Sequence, residues 1–142
     1  MARIVLVMHE PLGSAFASCA EHVLGHKASL DVFDVAPDAD PEAEVTRLAR
    51  LLRQENEPML LLCDIYGATP FNIAKRAIRL VAGDGMVAHL ITGSNLCMVL
   101  KALTEQQEKP DKLSESVRQG ALRGIVDAEC MEISHFGTGC DS

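Results

Sequence analysis

Two residues in this chain have the type and placement for covalent chemistry at neutral pH. His9 closes the short apolar run Ile4 to Met8, and Asp64 directly follows a second run, Met59 to Cys63. Imidazole is mostly unprotonated at neutral pH and offers a nucleophilic nitrogen. A carboxylate held against one ring nitrogen orients the ring and leaves the other free to attack. Beyond Asp64, Thr69-Pro70-Phe71-Asn72 reads as the start of a helix, capped by Thr69 with Pro70 at its first position. Such a start presents unpaired N–H groups and the positive end of the helix dipole. The amides of Ala68, Thr69, Phe71 and Asn72, with the Thr69 hydroxyl, are therefore candidates to hold phosphoryl oxygens beside His9. The candidate loops 9–13, 64–69 and 92–95 contain no Lys or Arg, and the chain has no G-x-x-x-x-G-K-[ST] phosphate loop. ATP binding is not expected, because a kinase or phosphatase would clamp the transferring group with cations or a metal. Backbone dipoles without a cationic clamp suit a carrier that holds a phosphoryl group briefly and passes it on.

The elements that must place these residues follow from periodicity. Nearly continuous apolar runs of strand length alternate with helix-period segments, the pattern of consecutive βα units over a mostly parallel sheet. Strands are expected at 4–8, 30–35, 59–63 and 86–91, with the second, interrupted by Asp31 and Asp34, suited to a sheet edge. A first helix runs through Phe16, Cys19, Ala20, Val23 and Leu24 to a stop at Gly25. A second starts at Asp40-Pro41 and buries Val45, Leu48, Ala49 and Leu52, leaving Arg47, Arg50 and Arg53 on a solvated face. A fourth follows Thr92-Gly93-Ser94-Asn95. Residues 113–119 read as a short helix, 121–126 as a short strand and 137–142 as a frayed end. The fold class is thus α/β, a doubly wound sheet with helices on both faces and an expected strand order 2-1-3-4. In that order the carboxyl ends of strands one and three flank the crevice where the strand order reverses, and they carry His9 and Asp64.

Composition narrows the function classes. The 142 residues fit one domain, with 1–126 as folded core and 127–142 as a tail, and 48% hydrophobic with 23% charged residues is ordinary globular usage. Thirteen basic against 20 acidic residues give a net charge of −7, which repels nucleic acid and anionic lipid. Trp is absent and aromatics are 4%, which removes a base-stacking platform. The five cysteines, Cys19, Cys63, Cys97, Cys130 and Cys140, contain no C-x-x-C pair, so reduced thiols in a cytoplasmic protein are expected. No apolar run is long enough for a signal peptide or a membrane span.

Three segments together resemble the IIA component of the mannose family of the bacterial phosphoenolpyruvate-dependent sugar phosphotransferase system (PTS). They are Ile4-Val5-Leu6-Val7-Met8-His9, Cys63-Asp64-Ile65-Tyr66-Gly67-Ala68-Thr69-Pro70-Phe71-Asn72 and Ile91-Thr92-Gly93-Ser94-Asn95-Leu96-Cys97-Met98-Val99. The likeness runs from about residue 2 to 103. It implies a phosphotransferase whose histidine, His9 by motif position, takes a phosphoryl group from the phosphocarrier HPr and gives it to a IIB component, here in trans. Asp64 would be its carboxylate partner and Thr69 the hydroxyl near the phosphoryl group, with no metal, nucleotide or other cofactor at that step. The resemblance also implies a homodimer with an exchanged C-terminal strand, for which 120–126 is the candidate. Glu10 departs from the family pattern, which commonly has glycine after the histidine.

Other readings remain open on the sequence. A regulatory PTS phosphoprotein coupled to no sugar permease would use the same residues. A response-regulator receiver would be phosphorylated on Asp64 with Thr92 after the fourth strand, but it would want an acidic cluster after the first strand, where only Glu10 stands. Metal sets could be drawn from His22 and His26, or from Cys130, His135 and Cys140, though neither matches a common spacing. His89 reads as a packed or edge residue and Cys63 as a buried, inert thiol.

Overall fold

The computed structural model describes residues 1–129 of the chain. The elements are β1 (Arg3–His9), α1 (Leu12–Leu24), β2 (Asp31–Val35), α2 (Pro41–Leu52), β3 (Met59–Cys63), α3 (Thr69–Ala82), β4 (Ala88–Ile91), α4 (Leu96–Thr104) and α5 (Pro110–Arg123). The four strands form one parallel sheet in the order β2-β1-β3-β4, as expected. After β2 the chain crosses β1 to lay down β3 on its other side. The strand order therefore reverses between β1 and β3, where a crevice opens at the carboxyl edge.

A sheet buried on both faces explains the continuous apolar runs. Along β1, Val5 and Val7 point into a core shared with Leu48 and Leu52 of α2 and Ile73, Ala77 and Val81 of α3. Ile4, Leu6 and Met8 point the opposite way, against Ala20 of α1, Met98, Val99 and Ala102 of α4, and Leu113, Val117 and Ala121 of α5. Each fully buried side chain of this size contributes about 1.5–3 kcal/mol. At the amino edge, buried Arg3 donates to the Leu51 and Leu52 carbonyls at the end of α2 and pairs with Asp31 at 2.9 Å and Glu55 at 3.7 Å.

One expectation about the elements is corrected. Residues 121–126 are not a strand: Leu113, Val117 and Ala121 form one buried stripe at four-residue spacing, so the helix runs on through Arg123. Gly120–Val126 as a whole is thus not available as an exchanged strand, and the frayed end expected at 137–142 lies outside the described residues. Arg47, Arg50 and Arg53 are all exposed, as expected of a solvated face, and two of them also make contacts there. Arg47 stacks 4.1 Å over the Phe33 ring and pairs with Glu44, and Arg53 pairs with Asp84 at 2.7 Å, joining α2 to the turn after α3.

His22 lies in α1 while His26 lies beyond Gly25, which ends the helix at φ 77°. Among the described residues no group of three or more His, Cys, Asp or Glu side chains is placed to hold a metal ion, and the set Cys130, His135 and Cys140 lies outside them. His89, in β4, meets Asp111 at 3.1 Å. No helix among the described residues is long and apolar enough to cross a membrane.

Candidate functional site

β1 and β3 run side by side with Val7 opposite Cys63, so Asp64, just after Cys63, and His9, two residues after Val7, lie together at the carboxyl edge. There His9 Nδ1 lies 2.7 Å from Asp64 Oδ2, and the His9 amide donates to the same oxygen at 2.9 Å. The Ile65 amide donates to Asp64 Oδ1 at 2.9 Å. The Asp64 side chain is only 6% exposed, whereas that of His9 is 47% exposed. Burial pushes the Asp64 carboxyl up, but the His9 amide, the His9 ring and the Ile65 amide together outweigh it and hold the group below the usual carboxylate range. An ionised Asp64 only accepts hydrogen bonds, so Nδ1 is the ring nitrogen that holds a proton toward it, and when the ring carries a single proton the lone pair is on Nε2.

The backbone of Asp64 is itself pinned. The Gly93 amide donates to the Asp64 carbonyl at 3.1 Å, and the Ser94 amide and hydroxyl donate to the Cys63 carbonyl at 3.2 and 2.7 Å. The loop 92–95 thus holds the carboxylate in place from behind, a contribution absent from the sequence reading because the contacts span some thirty residues. Cys63 is fully buried and its thiol is pushed up to about 12, first by burial and then by the neighbouring Asp64 charge, which leaves it inert.

The start of α3 differs in detail from expectation. Ala68, not Thr69, is the cap residue, and it supplies no side-chain acceptor; Thr69 is already helical and Pro70 is second. Pro70 is buried within this first turn. Of the four candidate amides, Ala68 donates to the Ile65 carbonyl at 3.4 Å and Asn72 to the Ala68 carbonyl at 3.0 Å. Among the described residues the Thr69 and Phe71 amides have no acceptor, and the exposed Thr69 hydroxyl makes no hydrogen bond. Asn72 instead ties the loop through its side chain, Nδ2 donating to the Gly67 carbonyl at 3.3 Å.

The other helices that begin at this edge are closed by side chains. Asp34 accepts from the Gly13 and Ser14 amides of α1, Asp40 from Ala43 of α2, and Asn95 from Met98 of α4. Among the described helices that follow a strand, α3, next to Asp64, is the one that begins without such a side chain; α5, which follows α4, also lacks one. Exposed apolar side chains flank the site: Leu12 after His9, then Ile65 and Tyr66 after Asp64, with the Tyr66 and Phe71 rings 4.9 Å apart. The arrangement offers a nucleophilic nitrogen, an anion-attracting helix end and a greasy rim, and the loops 9–13, 64–69 and 92–95 around it carry no Lys or Arg.

Comparison with known proteins gives a consistent setting for this geometry. A phosphotransferase component EIIA from Streptococcus agalactiae superimposes with a TM-score of 0.80 at 24% identity, covering 91% of this chain and 98% of that one. The mannose/sorbose specific IIA subunit from Enterococcus faecalis gives 0.79 at 21%, covering 88% and 92%. A sigma-54 interaction domain protein from the same organism gives 0.72 at 14%, covering 90% and 95%. A comparison with curated proteins returned no match. The profile of the EIIA-man family, described as PTS system fructose IIA component, matches residues 3–119. Because that match covers most of the sequence, the chain belongs to the EIIA-man family of PTS IIA components.

Proposed function

We propose that the chain is a PTS phosphocarrier in which His9 accepts a phosphoryl group from phospho-HPr and passes it to a IIB component in trans. The reading rests above all on the 2.7 Å contact between His9 Nδ1 and the nearly buried Asp64 carboxylate, which leaves Nε2 as the nitrogen with a lone pair on a half-exposed ring. In the forward step the Nε2 lone pair attacks phosphorus, the bond from phosphorus to the donor breaks, and the donor leaves with that electron pair. The Nδ1 proton stays between ring and Asp64 throughout. As positive charge develops on the ring, the carboxylate stabilises it. The free Thr69 and Phe71 amides and the Thr69 hydroxyl receive phosphoryl oxygens, the positive end of α3 supplying the field. Passing the group on reverses these steps with a different partner. The exposed Leu12, Ile65 and Tyr66 give both partners an apolar landing around the histidine. The proposal extends to a cytoplasmic homodimer, with residues 1–142 as one domain and no cofactor.

A regulatory role without a sugar permease is the second reading. It is favoured by one observation, that the same fold occurs in a chain named as a sigma-54 interaction domain protein. Phosphorylation of Asp64 itself is disfavoured by its 6% exposure and by the three hydrogen bonds its oxygens already accept.

The test is incubation with phosphoenolpyruvate, enzyme I and HPr. Acid-labile, base-stable label is expected on the wild type and none on His9→Ala. Equal labelling of His9→Ala, or a base-labile, magnesium-dependent acyl phosphate on Asp64, would reject the assignment.

A further inference from the structure

Resting on the phosphocarrier reading, we propose that Asp34 is a positioning residue for the His9 reaction: from the neighbouring strand it anchors the connector behind the histidine and occupies the anion-attracting end of α1. Asp34 lies opposite Met8 in the β1–β2 pairing, one residue before Val35, which lies opposite His9. Its Oδ1 accepts the Gly13 amide at 2.8 Å, and its Oδ2 accepts the Ser14 amide at 3.0 Å and the Ser14 hydroxyl at 2.8 Å. Those two amides are the second and third of α1, the donors a helix's own cap residue ordinarily satisfies. Here the cap residue is Pro11, which has no acceptor side chain. The carboxylate reaches them only because residue 13 is glycine, since a Cβ there would collide with Asp34 Oδ1. The near end of the connector is held as well, the Glu10 amide donating to the Val35 carbonyl at 3.0 Å.

The connector of residues 10–13 is thus fastened to β2 at both ends, and His9 cannot swing with it. The chemistry also needs this closure. A transferring phosphoryl group carries close to two negative charges, and the starts of α1 and α3, which follow the two strands that carry His9 and Asp64, would each attract it. With α1 filled by an internal carboxylate, α3 is the end left open beside the nucleophile.

The experiment compares Asp34→Asn with Asp40→Ala, which removes the equivalent cap from α2 away from His9, in full-length protein charged by phospho-HPr. For Asp34→Asn we expect the transfer rate at saturating donor to fall about tenfold with an unchanged KM for phospho-HPr. The ring nitrogen resonances of His9 should move from a single Nδ1–H tautomer toward a mixture. Asp40→Ala should lower the thermal midpoint and leave both readouts unchanged. Equal slowing by the two variants, no slowing by Asp34→Asn, or a change confined to KM would overturn the proposal. If the wild type takes no label on His9, the carrier reading fails. Asp34 is then judged by the tautomer alone, and an unchanged spectrum in Asp34→Asn overturns its positioning role.

Discussion

The starts of α1 and α3 flank the same crevice and have opposite chemistry. At α1 the second and third amides are taken by the Asp34 carboxylate, a glycine makes room for it, and the helix end is closed. At α3 the cap residue is Ala68, no side chain accepts from the first turn, and the Thr69 and Phe71 amides are left without acceptors among the described residues. A cap contributes about 0.5–2 kcal/mol to a helix, so an uncapped start forgoes stability. That α3 forgoes it beside His9 and its nearly buried carboxylate partner supports the proposed place for an incoming anion. Binding energy at an anion site comes from groups the fold leaves unsatisfied.

The contrast can be broken most sharply by making α3 resemble α1. Ala68→Asp places a capping carboxylate at an extended residue, φ −81° and ψ 174°, whose geometry suits a cap. We expect the unfolding free energy to rise by about 0.5–1 kcal/mol while phosphoryl acceptance falls by roughly a hundredfold, since the new group competes with and repels the phosphoryl oxygens. A stabler protein that still charges at the wild-type rate would mean that α3 does not hold the group. Asp64→Asn leaves the shape of the site but removes the fixed acceptor for Nδ1. Transfer is expected to drop by about a hundredfold in rapid-quench kinetics, with donor binding unchanged.

Gly13→Ala attacks the other end. The added methyl must displace Asp34, so a loss of about 1–3 kcal/mol in denaturant unfolding is expected, with transfer slowed by about as much as in Asp34→Asn. The smallest effect concerns pH. The folded Asp64 carboxyl is held below its ordinary value of about 3.9, so its contribution to stability is fully present above that value and is lost as pH falls through the lowered one. The stability difference between wild type and Asp64→Asn should be constant from about pH 7 to 5 and shrink only below about pH 4.

The parts of this picture that depend on local pattern were legible in the sequence. The buried runs at β1 and β3, the Asp40-Pro41 start of α2 and the Asn95 start of α4 all announce themselves within a few residues, and with the right-handed crossover rule they bring His9 and Asp64 to one edge. What escaped was non-local. Asp34 read as a polar interruption of an edge strand because its partners lie twenty and twenty-one residues earlier. Ser94 reads as an ordinary loop residue until its hydroxyl is seen on the Cys63 carbonyl. Two boundaries were misplaced next to a glycine and a proline. Gly120, between the expected helix and strand, sits inside α5, where an added Cβ would lie against the Lys101 side chain, and Pro70, which is buried, occupies the second helical position and not the first.

The seating of Asp64 bears on how long a charged carrier would survive under the proposed reading. One of its oxygens serves the His9 amide and ring, the other serves the Ile65 amide, and almost none of the side chain meets solvent. A carboxylate held this way presents little surface to a passing water and is a poor base for that water's attack on phosphorus. The group proposed to orient the histidine would thereby also slow the loss of its cargo to the solvent.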